Sequence, residues 1–303
     1  LGGDLQVHAG SAVHVLAALH QQAPFAELVS HMETGNAFTY TRDLAVAAWC
    51  RSQGMGWTEL AQFGVVRRLK SRNTWQGRWE AHMAAPQAVL PDLCFFANAN
   101  TATSQLTPAT LQAPTGLQHN PTQRQRGGRS LALDTLHSFL NARALGYRGG
   151  ISSPLSSPDA CSRLSAYLAW GCISLREVVQ STRATLDALP SQAGRHRAGL
   201  VGFMSRLYWH CHFIQKLESE PEIEWRNMHP GYDGLREDGW NDAHFAALTA
   251  GRTGWPMVDA CVVMLRETGW LNFRMRAMLV SVAAYPLWLD WRPVGKWLAT
   301  QFL

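Results

Sequence analysis

The first 86 residues alternate between short apolar runs and stretches whose apolar residues recur at helical spacing. The pattern predicts two strands and two helices, at Leu5–Val7, Ser11–Gln22, Phe25–Ser30 and Thr41–Gly54. Gly54 and Gly56 are placed to end the second helix. Alternating strands and helices favour a parallel sheet. We therefore expect residues 1–86 to form part of an α/β domain whose first strands are missing.

From about residue 130 onwards, almost every segment has the spacing of a helix. The predicted helices are Ser130–Leu145, Ser162–Leu168, Ser174–Leu189, Gly199–Glu218, Pro256–Thr268 and Asn272–Ala284. Ser174 and Glu177 form a capping box. Residues 87–129 are rich in Thr, Gln, Asn, Ala and Pro, which indicates an inter-domain linker. The expected fold is thus a partial α/β domain, a linker and a large all-α domain over residues 130–303.

The composition agrees with a large buried interior. Of 303 residues, 47% are hydrophobic and 16% are charged, which is enough for two domains. The sequence contains no uncharged run of 18 apolar residues, so no membrane span is predicted. Its first residues lack the basic and apolar parts of a signal peptide. Because the chain does not begin with Met, we expect an internal fragment.

The cysteines and the charge narrow the class of protein further. None of the six cysteines belongs to a Cys-x-x-Cys pair, which argues against zinc ribbons and iron–sulfur clusters. Scattered single cysteines are typical of a reducing cytosol, so we expect a cytoplasmic protein without a membrane partner, and a monomer. The net charge of +5 permits a polyanionic partner without requiring one.

A predicted helix start near Ser162 offers a seat for phosphate. Ser162 and Ser165 carry hydroxyls close to backbone N–H groups that lack helical partners in a first turn. The same serines also fit an ordinary N-cap, in which a hydroxyl accepts from the backbone of its own helix. The sequence leaves both interpretations open.

A second candidate lies in the run of residues 205–213. Its His-Cys-His order at 210–212 suggests a metal, but adjacent residues on a helix do not converge on one point, so no metal site is expected. Arg206 shares a helix face with Trp209 and His210. A cation beside a ring suits an anionic aromatic ligand or a nucleobase. A partly buried helix face is the alternative.

The stretch Gly251–Trp297 combines indoles and guanidiniums in a mostly apolar region. Arg274 and Arg276 point in different directions on a helix because one residue separates them. The density of such groups suggests a buried pocket for a large, flat, anionic ligand, with electron movement near it. The tryptophans of the stretch also fit an ordinary apolar core. They are Trp288, Trp291 and Trp297.

Several of these motifs, in the same order, resemble the photolyase/cryptochrome family of flavoproteins. Gly35–Asp43 resembles the last part of its N-terminal α/β domain, and Ser162–Arg176 resembles its flavin-phosphate loop and next helix. The most recognisable block comprises Gly251-Arg252-Thr253-Gly254, Pro256, Asp259-Ala260, Thr268-Gly269-Trp270, Arg274-Met275-Arg276 and Asp290-Trp291-Arg292. The resemblance spans about residues 30–303. It implies a partial Rossmann-like antenna domain over 1–86 followed by a helical FAD-binding domain, with both ends truncated.

The resemblance implies FAD as the cofactor and ultraviolet-damaged DNA as the partner, and it leaves the antenna chromophore open. The residues implied in FAD binding are Tyr147, Cys161, Ser162, Arg163, Leu164, Ser165, His210 and Arg276. Those implied in DNA binding are Arg206, Trp209, Phe273 and Arg274, with Arg143, Arg148, Arg195 and Arg197 as further candidates for the DNA backbone. The residues implied in catalysis are Trp209, which would line the lesion cavity, Arg276 beside the isoalloxazine ring, and Trp291 in the flavin-reducing electron chain.

Five positions depart from the family pattern. Cys161 stands where Thr is common, His210 where an Arg near FAD is common, and Phe273 where Asn is typical. Arg206 replaces a Glu that contacts damaged pyrimidines in repair members. Leu248 replaces the outermost Trp of the electron chain. The chain also stops before the family's acidic segment that reaches the flavin.

Three functions are compatible with the sequence. The first is a blue-light-driven deoxyribodipyrimidine photolyase, a carbon–carbon lyase that repairs pyrimidine dimers by electron transfer from reduced flavin. The second is a cryptochrome-type photoreceptor that binds FAD without repair, which the Arg206 replacement favours. The third is an inactive, truncated remnant that binds no flavin.

Overall fold

The computed structural model describes residues 6–89, 121 and 123–302. The described residues divide into two compact units. The first, the α/β unit, comprises those in 1–116 together with Cys211–Glu224. The second, the helical unit, comprises those in 117–210 together with 225–303.

The α/β unit contains a two-stranded parallel sheet and three helices among its described residues before residue 90. These are α1 (Ala12–Gln22), β1 (Glu27–His31), α2 (Ala37–Ser52), β2 (Gly56–Leu60) and α3 (Trp75–Ala84). The strands pair in register from Glu27 opposite Gly56 to His31 opposite Leu60. The predicted α/β start with a parallel sheet is therefore confirmed.

Three details of this unit differ from the sequence prediction. Helix α2 begins at Ala37 rather than Thr41, because the Asn36 side chain accepts from the backbone N–H of Thr39 and caps the helix. Gly54 does turn the chain, with a φ of +65°, but Gly56 then opens strand β2. The predicted strand Leu5–Val7 is wrong at Gln6 and Val7, since neither joins a ladder, and Leu5 lies outside the described residues.

Helix α3 anchors the unit through large aromatic side chains. Trp75, Trp79 and Met83 are buried on its inner face, and Trp75 Nε1 donates to the carbonyl of Gly64 at 2.9 Å. A Cβ at Gly64 would lie 2.3 Å from the Trp79 ring, so only glycine allows this close packing. The loop that contains Gly64 is therefore held in place by the tryptophans of α3.

The helical unit is built from helices of very different length. They are α4 (Arg129–Asn141), α5 (Tyr147–Gly150), α6 (Ser157–Ala160), α7 (Ser165–Ala169), α8 (Leu175–Ala188), α9 (Gly194–Ser219), α10 (Asp242–Ala250), α11 (Pro256–Thr268), α12 (Phe273–Ala284) and α13 (Trp291–Gln301). Helix α9 contributes its residues up to His210 to this unit and the rest to the α/β unit. The predicted large helical domain is confirmed.

One apolar core of this unit lies between its last four helices. Leu248, Val262, Leu265, Leu279 and Leu289 have no solvent-exposed surface, and burial of this kind is the main favourable term in folding. Most of the predicted linker 87–129 falls outside the described residues. No helix in the described ranges is both long and apolar enough to cross a membrane.

Candidate functional site

The turn Cys161–Ser165 joins α6 to α7. Helix α7 begins at Ser165, three residues later than predicted, and its N-cap is Leu164, without a side-chain hydrogen bond. The ordinary N-cap interpretation of Ser162 is therefore wrong, because its hydroxyl does not cap the helix. Arg163 has a φ of +63°, a left-handed conformation that is uncommon for a residue other than glycine and that often marks functional turns.

Arg143 stabilises this turn through hydrogen bonds to backbone carbonyls. Its guanidinium donates to the carbonyls of Thr135 at 3.0 Å, Ser162 at 3.1 Å and Cys161. The pKa of Arg143 is lowered, chiefly by burial. The prediction that Arg143 binds the DNA backbone is corrected, since its donors are already used by backbone carbonyls.

Two further guanidiniums converge on the same turn. Arg163 lies over the Trp270 ring, with Cζ 3.9 Å from the ring centre. Arg276 donates from Nε to the carbonyl of Leu271 at 2.6 Å and lies 4.3 Å over the ring of Phe302. Burial lowers the pKa of both arginines. Within the described ranges neither has a carboxylate partner, so the site has partly buried positive charge that an anion would stabilise.

The Cys161 thiol lies among these arginines. Burial raises its pKa to about 11, although Arg163, Arg143 and Arg276 each act to lower it. The thiol is therefore neutral near pH 7 and does not supply the negative charge that the arginines lack.

Two buried side-chain oxygens at the site have no hydrogen-bond partner among the described residues. Asn272 donates from Nδ2 to the carbonyl of Ile151 at 2.9 Å, and its Oδ1 is unpaired. Gln125 donates from Nε2 to the carbonyl of Arg163 at 3.0 Å, and its Oε1 is unpaired. Such oxygens need donors. A ligand that combines phosphates with hydroxyl or amino groups would satisfy both the arginines and the oxygens, so the residues present fit a nucleotide cofactor such as FAD.

A second cluster links Tyr147 to the surface. The buried Tyr147 ring packs edge-on against Phe139, with centroids 5.4 Å apart. Burial is the main reason that the pKa of Tyr147 is raised, although the nearby Arg206 guanidinium acts to lower it. Arg206 also lies 4.5 Å over the ring of Trp209, which is 42% exposed. The predicted cation-and-ring face of α9 is present.

The three residues of the His-Cys-His run have different environments. Burial lowers the pKa of His210, so its imidazole is neutral. Cys211 is fully buried, and burial raises the pKa of its thiol to about 11. His212 accepts from Arg72 at 2.8 Å. Among the residues that the structure describes, no group of three or more His, Cys, Asp or Glu is placed to hold a metal ion.

The Gly-Arg-Thr-Gly motif forms a capped turn before α11. Asp259 accepts from the backbone N–H of Thr253 at 2.8 Å, from its hydroxyl at 2.7 Å and from the N–H of Gly254 at 3.1 Å. One helix later, Phe273 and Arg274 are exposed, whereas Arg276 turns inward. The prediction that the two arginines point in different directions is confirmed.

The three tryptophans of the last stretch have different environments. Trp297 packs against the apolar core, as predicted. Trp291 donates from Nε1 to Asn227 Oδ1 at 2.8 Å. Trp288 is 44% exposed with a φ of +53°, so its interpretation as a core aromatic is wrong. It stacks instead on Arg236, whose Cζ lies 4.6 Å from its ring.

The remaining basic candidates are divided between two environments. Arg148 and Arg195 are exposed and line a cleft of about 520 Å³ together with Asp159 and a glycine-rich backbone. Arg197 donates to the carbonyl of Leu189 at 2.9 Å, near the end of α8. Arg148 and Arg195 thus stay accessible to an anion, while Arg197 is partly used within the fold.

Sequence reasoning missed Gln125 and Asn272, which supply the two unpaired oxygens. Gln125 lies in the predicted linker, and Asn272 is predicted only as the first residue of a helix. Gln125 is bonded to Arg163, 38 positions away in the chain, and Asn272 to Ile151, 121 positions away. No local sequence pattern indicates contacts over such separations.

Comparison with known proteins connects this site to a family. Residues 203–303 match the family described as the FAD binding domain of DNA photolyase. A deoxyribodipyrimidine photo-lyase of Streptomyces griseus is 29% identical over 62% of the chain and 41% of its own length. One of Escherichia coli K12 is 30% identical over 48% of the chain and 30% of its own length. The chain thus spans well under half the length of these curated relatives.

Solved structures of a photolyase and a cryptochrome have the same fold as this chain. A class III photolyase from Agrobacterium tumefaciens aligns with a TM-score of 0.75 at 22% identity, covering 97% of this chain and 61% of that one. A cryptochrome from Synechocystis aligns with a TM-score of 0.76 at 17% identity, covering 99% and 63%. The family match supports FAD as the cofactor. The family match over the last third of the chain, the curated relatives and the shared fold thus all relate this chain to the photolyase/cryptochrome family.

Proposed function

We propose that this chain forms part of a light-driven DNA photolyase that binds FAD and repairs ultraviolet-induced pyrimidine dimers. The observation that carries the proposal is a pair of partly buried arginines, Arg163 and Arg276, which lack a carboxylate partner within the described residues. The photolyases of Streptomyces griseus and Escherichia coli, to which the chain is similar, give the activity its name.

The residues around the turn would hold FAD by complementary charge and hydrogen bonding. Arg163, Arg276 and the hydroxyl of Ser162 would face the phosphates, and Asn272 and Gln125 would accept from hydroxyl or amino groups. FAD bound there in its reduced form would supply the light-driven electron transfer that splits the cyclobutane ring of a dimer. The protein side chains need to bind and orient, and none acts as a nucleophile.

The DNA would be bound on the exposed side of the helical unit. Arg274 lies on the surface of α12, and Arg148 and Arg195 line the basic cleft, so these cations would neutralise backbone phosphates. A flipped base needs an aromatic surface to replace its lost stacking, and the exposed Trp209 ring would provide one. Phe273 is 62% exposed and offers a second ring on the neighbouring motif.

The decisive measurement is loss of dimers under blue light. We expect the purified chain, supplied with FAD and a reductant, to remove cyclobutane dimers from an irradiated oligonucleotide in the light but not in the dark. An Arg276→Gln variant should lose activity and flavin absorbance together. Bound flavin without any light-dependent loss of dimers would reject the repair activity.

Arg206 gives the photoreceptor hypothesis a specific observation in its favour. Its guanidinium lies over the Trp209 ring and near the Tyr147 hydroxyl, at a position where repair members of the family carry a Glu. A cryptochrome-type protein would keep the flavin site while this surface no longer contacts a dimer. Equal affinity for damaged and intact DNA, together with a light-dependent flavin spectrum, would favour this second function.

A further inference from the structure

The α/β unit carries a concentration of positive charge that the flavin site does not use. Between Glu59 and Glu80 the sequence contains five Lys and Arg residues and no acidic residue. Its formal charge of +5 equals the net charge of the whole chain. These cations are Arg67, Arg68, Lys70, Arg72 and Arg78, and residues 66–78 are called the basic segment below.

Only one of the five cations is neutralised inside the unit. Arg67 donates to Glu59 at 3.0 and 3.2 Å and to Asp43 at 3.3 Å. Arg68, Lys70, Arg72 and Arg78 are exposed. Over the ranges that the structure describes, Arg68, Lys70 and Arg78 form no ion pair. The surface of the basic segment is therefore strongly positive.

The backbone beneath these cations is fixed. Gln215 on α9 is fully buried; its Oε1 accepts from the N–H of Val66 at 2.7 Å, and its Nε2 donates to the Val66 carbonyl at 3.0 Å. Near the other end of the segment, Trp75 donates to the carbonyl of Gly64, which lies just before the segment begins. A charge array on a fixed backbone loses less entropy on binding than one on a mobile tail.

An exposed aromatic patch adjoins the cations. Arg72 donates to His212 Nδ1 at 2.8 Å, and its Cζ lies 5.3 Å from the Trp75 ring. The His212 and Phe213 rings meet edge-on, with centroids 5.7 Å apart, and Phe213 is 51% exposed. Burial and the nearby Arg72 and Lys216 lower the pKa of His212, so the neutral imidazole acts as an acceptor.

We propose that the basic segment and Phe213 form a nucleic-acid-binding surface that contacts the phosphate backbone. Clustered, unpaired Lys and Arg are the electrostatic signature of phosphate binding. An adjoining exposed ring favours nucleic acid over an acidic peptide, because bases can stack on it. The surface belongs to a different unit from the flavin site and needs neither flavin nor a lesion, so the proposal does not rest on the proposed repair activity.

The test compares two triple variants of equal net charge in the full chain. The first is Arg68→Gln with Lys70→Gln and Arg78→Gln. The control is Arg51→Gln with Arg124→Gln and Arg126→Gln, which removes three exposed cations elsewhere. Binding of a fluorescent, undamaged duplex is measured in the dark by anisotropy, at about 50 to 200 mM KCl, the range over which phosphate contacts weaken strongly.

We expect the basic-segment variant to bind the duplex at least about tenfold more weakly at the lowest salt. Its log–log salt slope should be smaller by about 2 to 3, since each phosphate contact contributes about 0.9. The control should keep the slope, and both variants should unfold at the same temperature as the parent. Equal binding by the two variants would overturn the proposal. Unchanged DNA binding with lost binding of a polyglutamate peptide would overturn it in favour of an acidic protein partner.

Discussion

Arg206 connects two side chains that the linear sequence does not place together. It lies near the Tyr147 hydroxyl and stacks on Trp209, so one guanidinium lies between the buried aromatic cluster and the exposed ring. A carboxylate at this position could accept from the Tyr147 hydroxyl and would remove a cation from the surface proposed to bind DNA.

We expect Arg206→Glu to raise the preference for dimer-containing over intact DNA by about tenfold, the scale of one charge-assisted hydrogen bond of roughly 1.4 kcal/mol. The lost cation should weaken binding to intact DNA. Competition binding of matched oligonucleotides measures the ratio, and Arg206→Gln separates the loss of positive charge from the gain of a carboxylate. An unchanged ratio in Arg206→Glu would contradict the assigned role of this face.

Cys161 tests the environment of the turn without any ligand. Because burial raises its pKa to about 11, only roughly one thiol in a thousand is ionised at pH 8. Iodoacetamide labelling, located by mass spectrometry, should be slow at pH 8 and should accelerate about tenfold per pH unit up to pH 10. Rapid labelling at pH 7 would show that the thiol is not enclosed as described.

At the scale of the element, helix α9 approaches its neighbour through a glycine. A Cβ at Gly199 would lie 1.9 Å from the Ala144 carbonyl oxygen, so a larger residue must displace the backbone. We expect Gly199→Ala to destabilise the fold by about 1 to 3 kcal/mol, measured by urea unfolding.

Gly194, at the start of the same helix, is the matched control. A Cβ there would meet no atom within 4 Å, so Gly194→Ala should be neutral or slightly stabilising through its smaller unfolded-state entropy. Similar losses of stability in both variants would contradict the close approach at Gly199.

The segment before α10 is tied to α13 through Glu237. Its Oε2 accepts from the Arg236 N–H at 3.0 Å, and its Oε1 accepts from Arg292 at 3.1 Å. These bonds, led by the backbone N–H groups of Arg236 and Glu237, lower the pKa of Glu237 to about 2. Since this pKa is below the ordinary value of 4.5, the carboxylate stabilises the fold above pH 4.5, and that contribution is lost as the pH falls through about 2.

Glu237→Gln should therefore lower the unfolding temperature at pH 7. The difference from the parent should shrink between pH 4.5 and pH 2, as measured by thermal unfolding at each pH. Asp238→Asn, at the exposed neighbouring position, controls for the loss of one negative charge. A difference that stays constant down to pH 2 would show that the Glu237 carboxylate is not the cause.

The elements that could be predicted from sequence are those with local signals at both ends. Helix α11 was predicted with its observed bounds, because Pro256 starts it and Gly269, with a φ of +64°, ends it. Helix α13 was missed, since Pro293 and Gly295 weaken its local signal. It forms nevertheless because Val294 and Leu298 pack into the core. Strand β2 was missed for a similar reason: a five-residue strand depends on its partner β1.

At the scale of the whole molecule, the sequence motifs indicate the family and the cofactor. The geometry adds that the arginines of the expected flavin site have no carboxylate partner among the described residues. Motif order predicts that Arg163 and Arg276 belong to the flavin site, but only the fold reveals that both are partly buried without a carboxylate partner in the described residues. Such uncompensated charge lowers the stability of the ligand-free chain. A bound anion would therefore stabilise the whole helical unit.

This argument predicts that FAD raises the thermal stability of the chain even in the dark. A ligand that binds only the folded state adds about 2.7 kcal/mol at a hundred times its Kd, which corresponds to roughly 5 to 10 °C for a domain of this size. Scanning fluorimetry against FAD concentration should show an unfolding temperature that rises with the logarithm of concentration. Arg276→Gln should shift this curve to higher FAD concentration, whereas Arg51→Gln in the α/β unit should not. An unfolding temperature independent of FAD would mean that the buried arginines are stabilised by something other than a flavin nucleotide.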